Sequence, residues 1–336
     1  MTQQLTTPTS TPPGGPSNPW PGLAVCTVAT AIAMGVHQLL PMASPLLLAI
    51  VLGVLVANLR PLGPRFAPGL TVASRPLLRI GVALLGLQLV FGDILGLGPG
   101  VIALIVAVVA LGIAGTVWIG ARLGLSPAQR LLIACGTSIC GAAAVAAVDG
   151  VIDADDEDVA TAIGTVVVFG TMLLGLIPLG VALLNLSPEQ GGVWAGASIH
   201  EVAQTVAAGG LIGSGALAVA VVVKLGRVLM LAPVMTVISL RRRRGAAPGK
   251  RPPLVPLFIV GFLACVALRS AGVVGEPVLA VAGQVQVALL SAAMFALGTG
   301  VRVSALRAVG PRPFVLGAAG TVWITGLGLA GAVLVA

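Results

Sequence analysis

The sequence predicts an all-α polytopic membrane protein with about 9–11 transmembrane helices, two of its segments interrupted within duplicated, inverted repeats. Three observations predict it. Hydrophobic residues make up 57% of the 336-residue chain and charged residues only 8%, with a mean hydropathy of +1.11, too little charge to cover a soluble surface of this size. Apolar runs of about 20 residues, the length that crosses the hydrocarbon core, recur along the chain. The runs are continuous rather than alternating, which excludes a transmembrane β-barrel.

The elements follow in order. The opening stretch, MTQQLTTPTSTPPGGPSNP, carries no charged side chain. It lacks the basic n-region of a signal peptide and reads as a disordered tail over 1–19, ahead of a single transporter domain over 20–336. Spans are predicted at 20–40, 45–59, 73–92 and 99–121, then a segment at 126–150, a span at 158–184 and a second segment at 187–210. Further spans follow at 214–240, 254–272, 277–300 and 313–335.

The net charge of +8 could point to nucleic acid, but much of it is packed into Arg241 to Arg244, Lys250 and Arg251, one loop between two apolar spans. Basic loops mark the cytoplasmic side of a membrane protein, and with no Tyr and 3% aromatics the chain offers no base-stacking platform. Arg60 and Arg65, Arg122 and Arg130, the basic run after 240, and Arg302, Arg307 and Arg312 all fall on one side when each segment is counted as one crossing. That places the N-terminus in the cytoplasm and the C-terminus outside, in a multi-pass cell inner (plasma) membrane protein. The four cysteines, Cys26, Cys135, Cys140 and Cys265, lie in apolar segments and read as free, packed thiols. No Cys-x-x-Cys or His-x-x-x-His spacing suggests a metal, and no cofactor is expected.

Two stretches repeat one pattern. LSPAQRLLIACGTSICGAAAVAAVDG, from Leu125, and LSPEQGGVWAGASIHEVAQTVAAGG, from Leu186, both open with L-S-P-x-Q and then carry G-x-S-I, with one residue's difference in spacing. Each precedes a V-V-x-x-G element, at Val166 and Val222. Ordered matches of this kind mark a duplication with units around 125–184 and 186–240. Ser before Pro is a helix start, and the small residues Gly136, Thr137, Ser138 and Gly141 about ten residues later weaken the helix. Each unit therefore reads as two half-helices around an interruption. Broken segments in matching halves are the best sequence pointer to a transporter's site, and half-helix N-termini suit anions. The units could be broken helices that cross fully or re-entrant hairpins. The two geometries put the acidic run DADDED, Asp153 to Asp158, on opposite sides, and the sequence favours the hairpins because they give the units opposite orientations.

Charge inside the membrane is costly, roughly 2.5–3.5 kcal/mol per residue by insertion scales, so it marks function or pairing. Lys224 and Arg227, three residues apart, share a helix face near mid-depth. Their expected partners are Glu201 and a bound anion, with a structural bridge to Glu201 as the bland alternative. His200 and Gln204 share one face of the second unit, and Glu201 and Thr205 the next. His200 beside Glu201 suits proton coupling, although a buried histidine is often only a packing residue. Gln88 marks the third span, and Gln284 and Gln286 begin the tenth, where a helix contact suffices to explain them.

At CGTSICGAAAVAAV, GASIHEVAQTVAAG and VVKLGRVLMLAPV the chain resembles the YeiH-like membrane family whose members carry the label sulfate exporter, from about Pro45 to the C-terminus. The family is grouped with a clan of cation/proton antiporters and anion transporters, and the resemblance implies secondary transport. It carries Thr137, Ser138, Cys140, Ser198, His200, Gln204, Lys224 and Arg227 as motif positions; Glu201 stands where many relatives have Asp.

The function expected is secondary transport of a small anion, sulfur-containing or organic, coupled to protons or sodium by alternating access, with an uncoupled anion channel as the alternative and no enzymatic activity. Ser138 and Ser198 would bind the anion with neighbouring N–H groups, Lys224 and Arg227 would supply charge, and Thr137 and Cys140 join them as motif positions on the substrate side. His200 and Glu201 would carry the coupling proton, with Gln204 beside them. The lipid bilayer and the coupling ion are expected partners, a homodimer is an expected assembly, and nucleic acid is not expected.

Overall fold

The computed structural model describes residues 18–40, 45–245, 257–300 and 310–336. The predicted N-terminal tail up to residue 17, Lys250, Arg251, Arg302 and Arg307 lie outside the described residues. The chain is all-helical over the described residues: α1 (Trp20–Leu39), α2 (Pro45–Leu59), α3 (Pro64–Gln88), the short α4 (Phe91–Gly96), α5 (Gly98–Arg122), α6 (Pro127–Ser138), α7 (Ala142–Ile152) and α8 (Asp156–Leu183). There follow α9 (Pro188–Ser198), α10 (Val202–Ile212), α11 (Ser214–Leu229), α12 (Leu231–Gly245), α13 (Leu257–Ser270), α14 (Glu276–Gly298) and α15 (Arg312–Val335). Among the described residues, seven helical stretches are long and apolar enough to cross a membrane. The protein is a multi-pass membrane protein.

Most span boundaries match the sequence expectation, and two differ for local reasons. The third span begins at Pro64 rather than 73, because Pro76 is absorbed in a π-helical turn, Ala73–Leu77, instead of ending the helix. The eighth span divides at Met230 into α11 and α12, since Pro233 has no N–H to offer the carbonyl four residues back.

Both L-S-P-x-Q stretches begin helices by the expected mechanism. Ser126 accepts the Gln129 N–H at 3.0 Å, and Ser187 accepts the Gln190 N–H while the Gln190 side chain returns to the Ser187 N–H, each at 3.1 Å. Both helices then stop after the G-x-S motif, leaving Ile139, Cys140 and Gly141 outside helix in the first unit and Ile199, His200 and Glu201 in the second.

Each unit folds back on itself. A straight continuation would set Ser126 and Ile152 about 40 Å apart. Instead the Ser126 hydroxyl donates to Asp158 Oδ2 at 2.9 Å, only a few residues beyond the end of α7, a reach of at most about 20 Å of chain. In the second unit, a Cβ placed on Gly191 in the first turns of α9 would lie 3.2 Å from Ile212 at the end of α10. The two hairpins, α6–α7 and α9–α10, thus stand with their bases at opposite ends of α8, which at 28 residues is about 42 Å long. Arms of 11 or 12 residues reach about 16–18 Å, half of a hydrocarbon core about 30 Å thick. The tips therefore meet near mid-depth. The base of the first hairpin lies at the arginine-bearing end of α12, where Arg242 donates to the carbonyls of Val151, at 3.2 Å, and Ile152.

The helices form two bundles. The hairpins pack with α5, α8, α11 and α15; α1, α2, α3, α13 and α14 pack with one another. Small residues permit close contacts in both, as expected where lipid supplies no hydrophobic drive between helices. A Cβ on Gly53 of α2 would lie 2.3 Å from the Phe295 carbonyl of α14. One on Gly196 of α9 would lie 2.6 Å from the Ala220 carbonyl of α11, the contact that brings the end of α9 over Lys224 and Arg227.

Candidate functional site

The two hairpin tips carry four helix ends: the C-termini of α6 and α9, and the N-termini of α7 and α10. C-terminal carbonyls and N-terminal N–H groups have no partner within their own helix. At membrane depth no water is at hand, so other groups must satisfy them.

Lys224 and Arg227, both fully buried, serve the carbonyls. Lys224 Nζ donates to the carbonyl oxygens of Ile139 at 2.9 Å, Ile199 at 2.7 Å and His200 at 2.5 Å. Arg227 donates through Nε to Ser138 at 3.0 Å, through Nη1 to Gly196 at 3.1 Å and Ile199 at 2.9 Å, and through Nη2 to Thr137 at 2.8 Å. Both cations span both hairpins, and the three donors of the ammonium are fully used. The expected ion pair with Glu201 is not formed: among the described residues the one ion pair is Arg269–Glu276, at a distant helix end. The physical reason is that two converging helix C-termini present a concentrated negative field, and the two cations on α11 lie directly against those carbonyls.

Glu201 serves the opposite dipole end. Its Oε1 accepts the Ala142 N–H, the first residue of α7, at 3.0 Å. Gly141 makes room: it has φ +77 and ψ −141, and a Cβ there would lie 2.5 Å from Glu201 Oε1. The second hairpin thereby caps the first.

The remaining nominated residues spread around the tips. Cys140 and Glu201 line a cavity of about 120 Å³ between the two bundles. Its hairpin wall is completed by Ala143, Val202 and Ala203, the first turns of α7 and α10, and its opposite wall is Leu46, Leu85, Leu290 and Met294 with Gln88 and Gln286. The amides of Gln88 and Gln286 hydrogen-bond to each other, Nε2 to Oε1. Ser138 and Ser198 do not line this cavity: a Cβ on Gly112 of α5 would lie 2.8 Å from the Ser138 hydroxyl, and one on Gly328 of α15 2.5 Å from that of Ser198. Thr137 turns its hydroxyl to the carbonyls of Ile133 and Ala134 within α6. His200 Nε2 shares a hydrogen bond of 2.9 Å with Thr321 Oγ1, and Gln204 Nε2 donates to Thr171 Oγ1 of α8 at 3.3 Å. The breaks in the two segments are thus brought together, while the side chains nominated around them divide among three surroundings.

Three polar residues around the tips and the cavity escaped the sequence reading or were undervalued by it. Gln88 and Gln286 read as helix-contact residues, and only their pairing across the cavity sets them apart. Thr321 carried an overlooked signal: the hexapeptide AGTVWI occurs twice, at 114–119 and 319–324. The two copies pack together, with Thr116 Oγ1 2.9 Å from the position of a Cβ on Gly320 and Trp323 Nε1 donating to the Leu111 carbonyl at 2.9 Å.

Comparison with known proteins adds the family. Residues 21–317 match the family model described as Conserved hypothetical protein 698. The chain is 54% identical over 317 residues to a UPF0324 membrane protein of Corynebacterium glutamicum, covering 94% of this chain and 92% of the relative. It is 38% identical over 314 residues to the UPF0324 membrane protein TauZ of Paracoccus pantotrophus, covering 91% and 92%, and 35% identical over 291 residues to a UPF0324 membrane protein of Bacteroides thetaiotaomicron, covering 84% and 87%. No solved structure matches the chain. With a family model and relatives that each match most of its length, the chain belongs to the UPF0324 family of membrane proteins, the family described as Conserved hypothetical protein 698.

Proposed function

We propose that the protein is a secondary transporter that carries a small anion across the plasma membrane by alternating access. The observation that carries this reading is the charge balance at the hairpin junction. The two helix C-termini and two N-termini, each roughly half a unit charge, cancel. Lys224 and Arg227 then stand against a single carboxylate, Glu201, a surplus of one positive charge buried beside a cavity. A monovalent anion in that cavity balances the junction, and a proton taken up by Glu201 enlarges the surplus and couples the two ions.

The position of the cavity supports alternating access. It lies between the hairpin bundle and the α1–α2–α3–α13–α14 bundle, so sliding one against the other would open it to either side. In this reading the anion meets the N-terminal turns of α7 and α10 and the thiol of Cys140, with the Gln88–Gln286 pair recognising it from the opposite wall. Lys224 and Arg227 act through the field they set up, and Thr137 acts through its carbonyl on Arg227. Gln204 and His200 hold the tips in place through Thr171 and Thr321, and Ser138 and Ser198 only pack against Gly112 and Gly328. In this reading the N-terminus lies in the cytoplasm and the C-terminus outside, which the basic residues of the loops support.

The test is flux in proteoliposomes loaded with small carboxylates, sulfonates or sulfate, with and without a pH gradient. Saturable flux of one of these anions that a pH gradient drives and that Gln286→Leu impairs is the expected result. Absence of flux for every anion class, or flux unchanged in both Glu201→Ala and Gln286→Leu, overturns the site. A reversal potential set by the anion alone would mark an uncoupled pore instead.

A further inference from the structure

Transporters with broken helices commonly hold their coupling cation at the C-terminal ends and unwound carbonyls of the half-helices. Here those oxygens are already occupied. Three carbonyls from both hairpins, Ile139, Ile199 and His200, surround Lys224 Nζ at 2.5–2.9 Å, and Arg227 takes the carbonyls of Thr137, Ser138, Gly196 and again Ile199. An alkali cation needs several such oxygens, and its entry would place a third positive charge beside two that are fully buried.

We infer that the Lys224 ammonium is the tethered occupant of a monovalent-cation site formed by the two hairpin tips, so that this protein's transport cycle is independent of sodium. The inference rests on the transport reading for its consequence, but the site itself does not. The ammonium is a point charge with three donors, matched one to one with three carbonyls contributed by two separate chain reversals. A tethered ion is never released, so the tips remain joined through the cycle and the two hairpins move as one body. Four helix ends meeting without such a cation would leave the α6 and α9 carbonyls opposed to one another.

The experiment removes the tether and offers free cations. Purified Lys224→Ala is melted in choline, sodium, ammonium and methylammonium chlorides at equal ionic strength, beside the wild type. The expected result is a saturable rise of about 5 °C in the variant with ammonium or methylammonium, and no cation-specific shift in the wild type. A variant insensitive to all of these cations overturns the inference. So does a wild-type protein that sodium stabilises, because a second, free cation site must then exist. If Lys224→Ala does not survive purification, the wild-type melt and anion flux in sodium against choline decide: equal values uphold the inference, and a sodium requirement for either overturns it. Flux that requires sodium leaves the anion-transport reading intact while ending this one. A protein without anion flux ends the transport reading, and the cation rescue of Lys224→Ala still tests the site.

Discussion

The carboxylate of Glu201, on the tip of the second hairpin, accepts the N–H of Ala142 on the tip of the first at 3.0 Å. It is the acidic counterpart of the Lys224 and Arg227 bonds: a negative side chain on a positive helix end, where those are positive side chains on negative helix ends. Glu201 also lines the cavity, so among the described residues it is the one charged group that both joins the hairpins and faces the space offered to the anion. Glu201→Gln keeps an oxygen able to accept the Ala142 N–H but gives up the titratable charge. Its expected effect on stability is within about 1 kcal/mol, while anion flux ceases to respond to a pH gradient. Parallel melts and flux assays check both halves, and flux that still follows the pH gradient removes Glu201 from the coupling.

Gly141 tests the same contact from the other side. Its backbone, φ +77 and ψ −141, belongs to a region that costs a side-chain-bearing residue about 1–3 kcal/mol. The Cβ of Gly141→Ala would also lie 2.5 Å from Glu201 Oε1. The variant is expected to melt lower than Glu201→Ala and to lose flux. Because one part of its cost is the collision and the other is backbone strain, the double variant Gly141→Ala/Glu201→Ala is expected to be more stable than the sum of the two single losses. Strict additivity would show that the two groups do not meet.

The sequence revealed both breaks because their chemistry is local. Ser before Pro begins a helix, and a glycine followed by small polar residues ends one, wherever the chain then travels. The favoured hairpin geometry depended on what the segments touch, which the Ser126–Asp158 and Gly191–Ile212 contacts supply. The partners of Lys224 and Arg227 were illegible for a deeper reason. They are backbone carbonyls, which every residue carries and no letter marks, so a carboxylate in the neighbouring motif attracted the assignment instead. The Gln88–Gln286 pair joins residues 198 positions apart, and neither glutamine stands in a repeated motif that would have linked them.

Ser138 and Ser198 separate a packing role from a binding role. Each hydroxyl is fully buried against a glycine of a neighbouring helix, Gly112 or Gly328, and neither has a protein hydrogen-bond partner among the described residues. Removing a buried hydroxyl that makes no such bond is nearly neutral or slightly stabilising. Ser138→Ala and Ser198→Ala are therefore expected to melt within about 1 kcal/mol of the wild type and to transport with unchanged apparent affinity for the anion. A tenfold or larger loss of affinity, about 1.4 kcal/mol, would instead return these hydroxyls to the substrate.

Arg227 distinguishes a charge from a fork. Its four donor bonds reach carbonyls of both hairpins, and a truncated side chain leaves those oxygens facing one another where no water can reach them. A buried acceptor left unmade costs about 1–3 kcal/mol, so Arg227→Ala is expected to lose most of its folded yield in detergent. Arg227→Lys keeps the charge but has three donors from a single nitrogen in place of the planar fork. Three donors cannot satisfy all four of the carbonyls that the fork reaches, Thr137 and Ser138 on one side and Gly196 and Ile199 on the other. It is therefore expected to fold, to melt about 1–3 kcal/mol below the wild type, and to retain the surplus positive charge that favours an anion in the cavity. Measured anion affinity in Arg227→Lys decides between the two contributions. Affinity close to wild type, alongside the lower melt, assigns the residue to holding the hairpins and its charge to the field. Loss of affinity greater than the loss of stability would place the guanidinium on the anion itself.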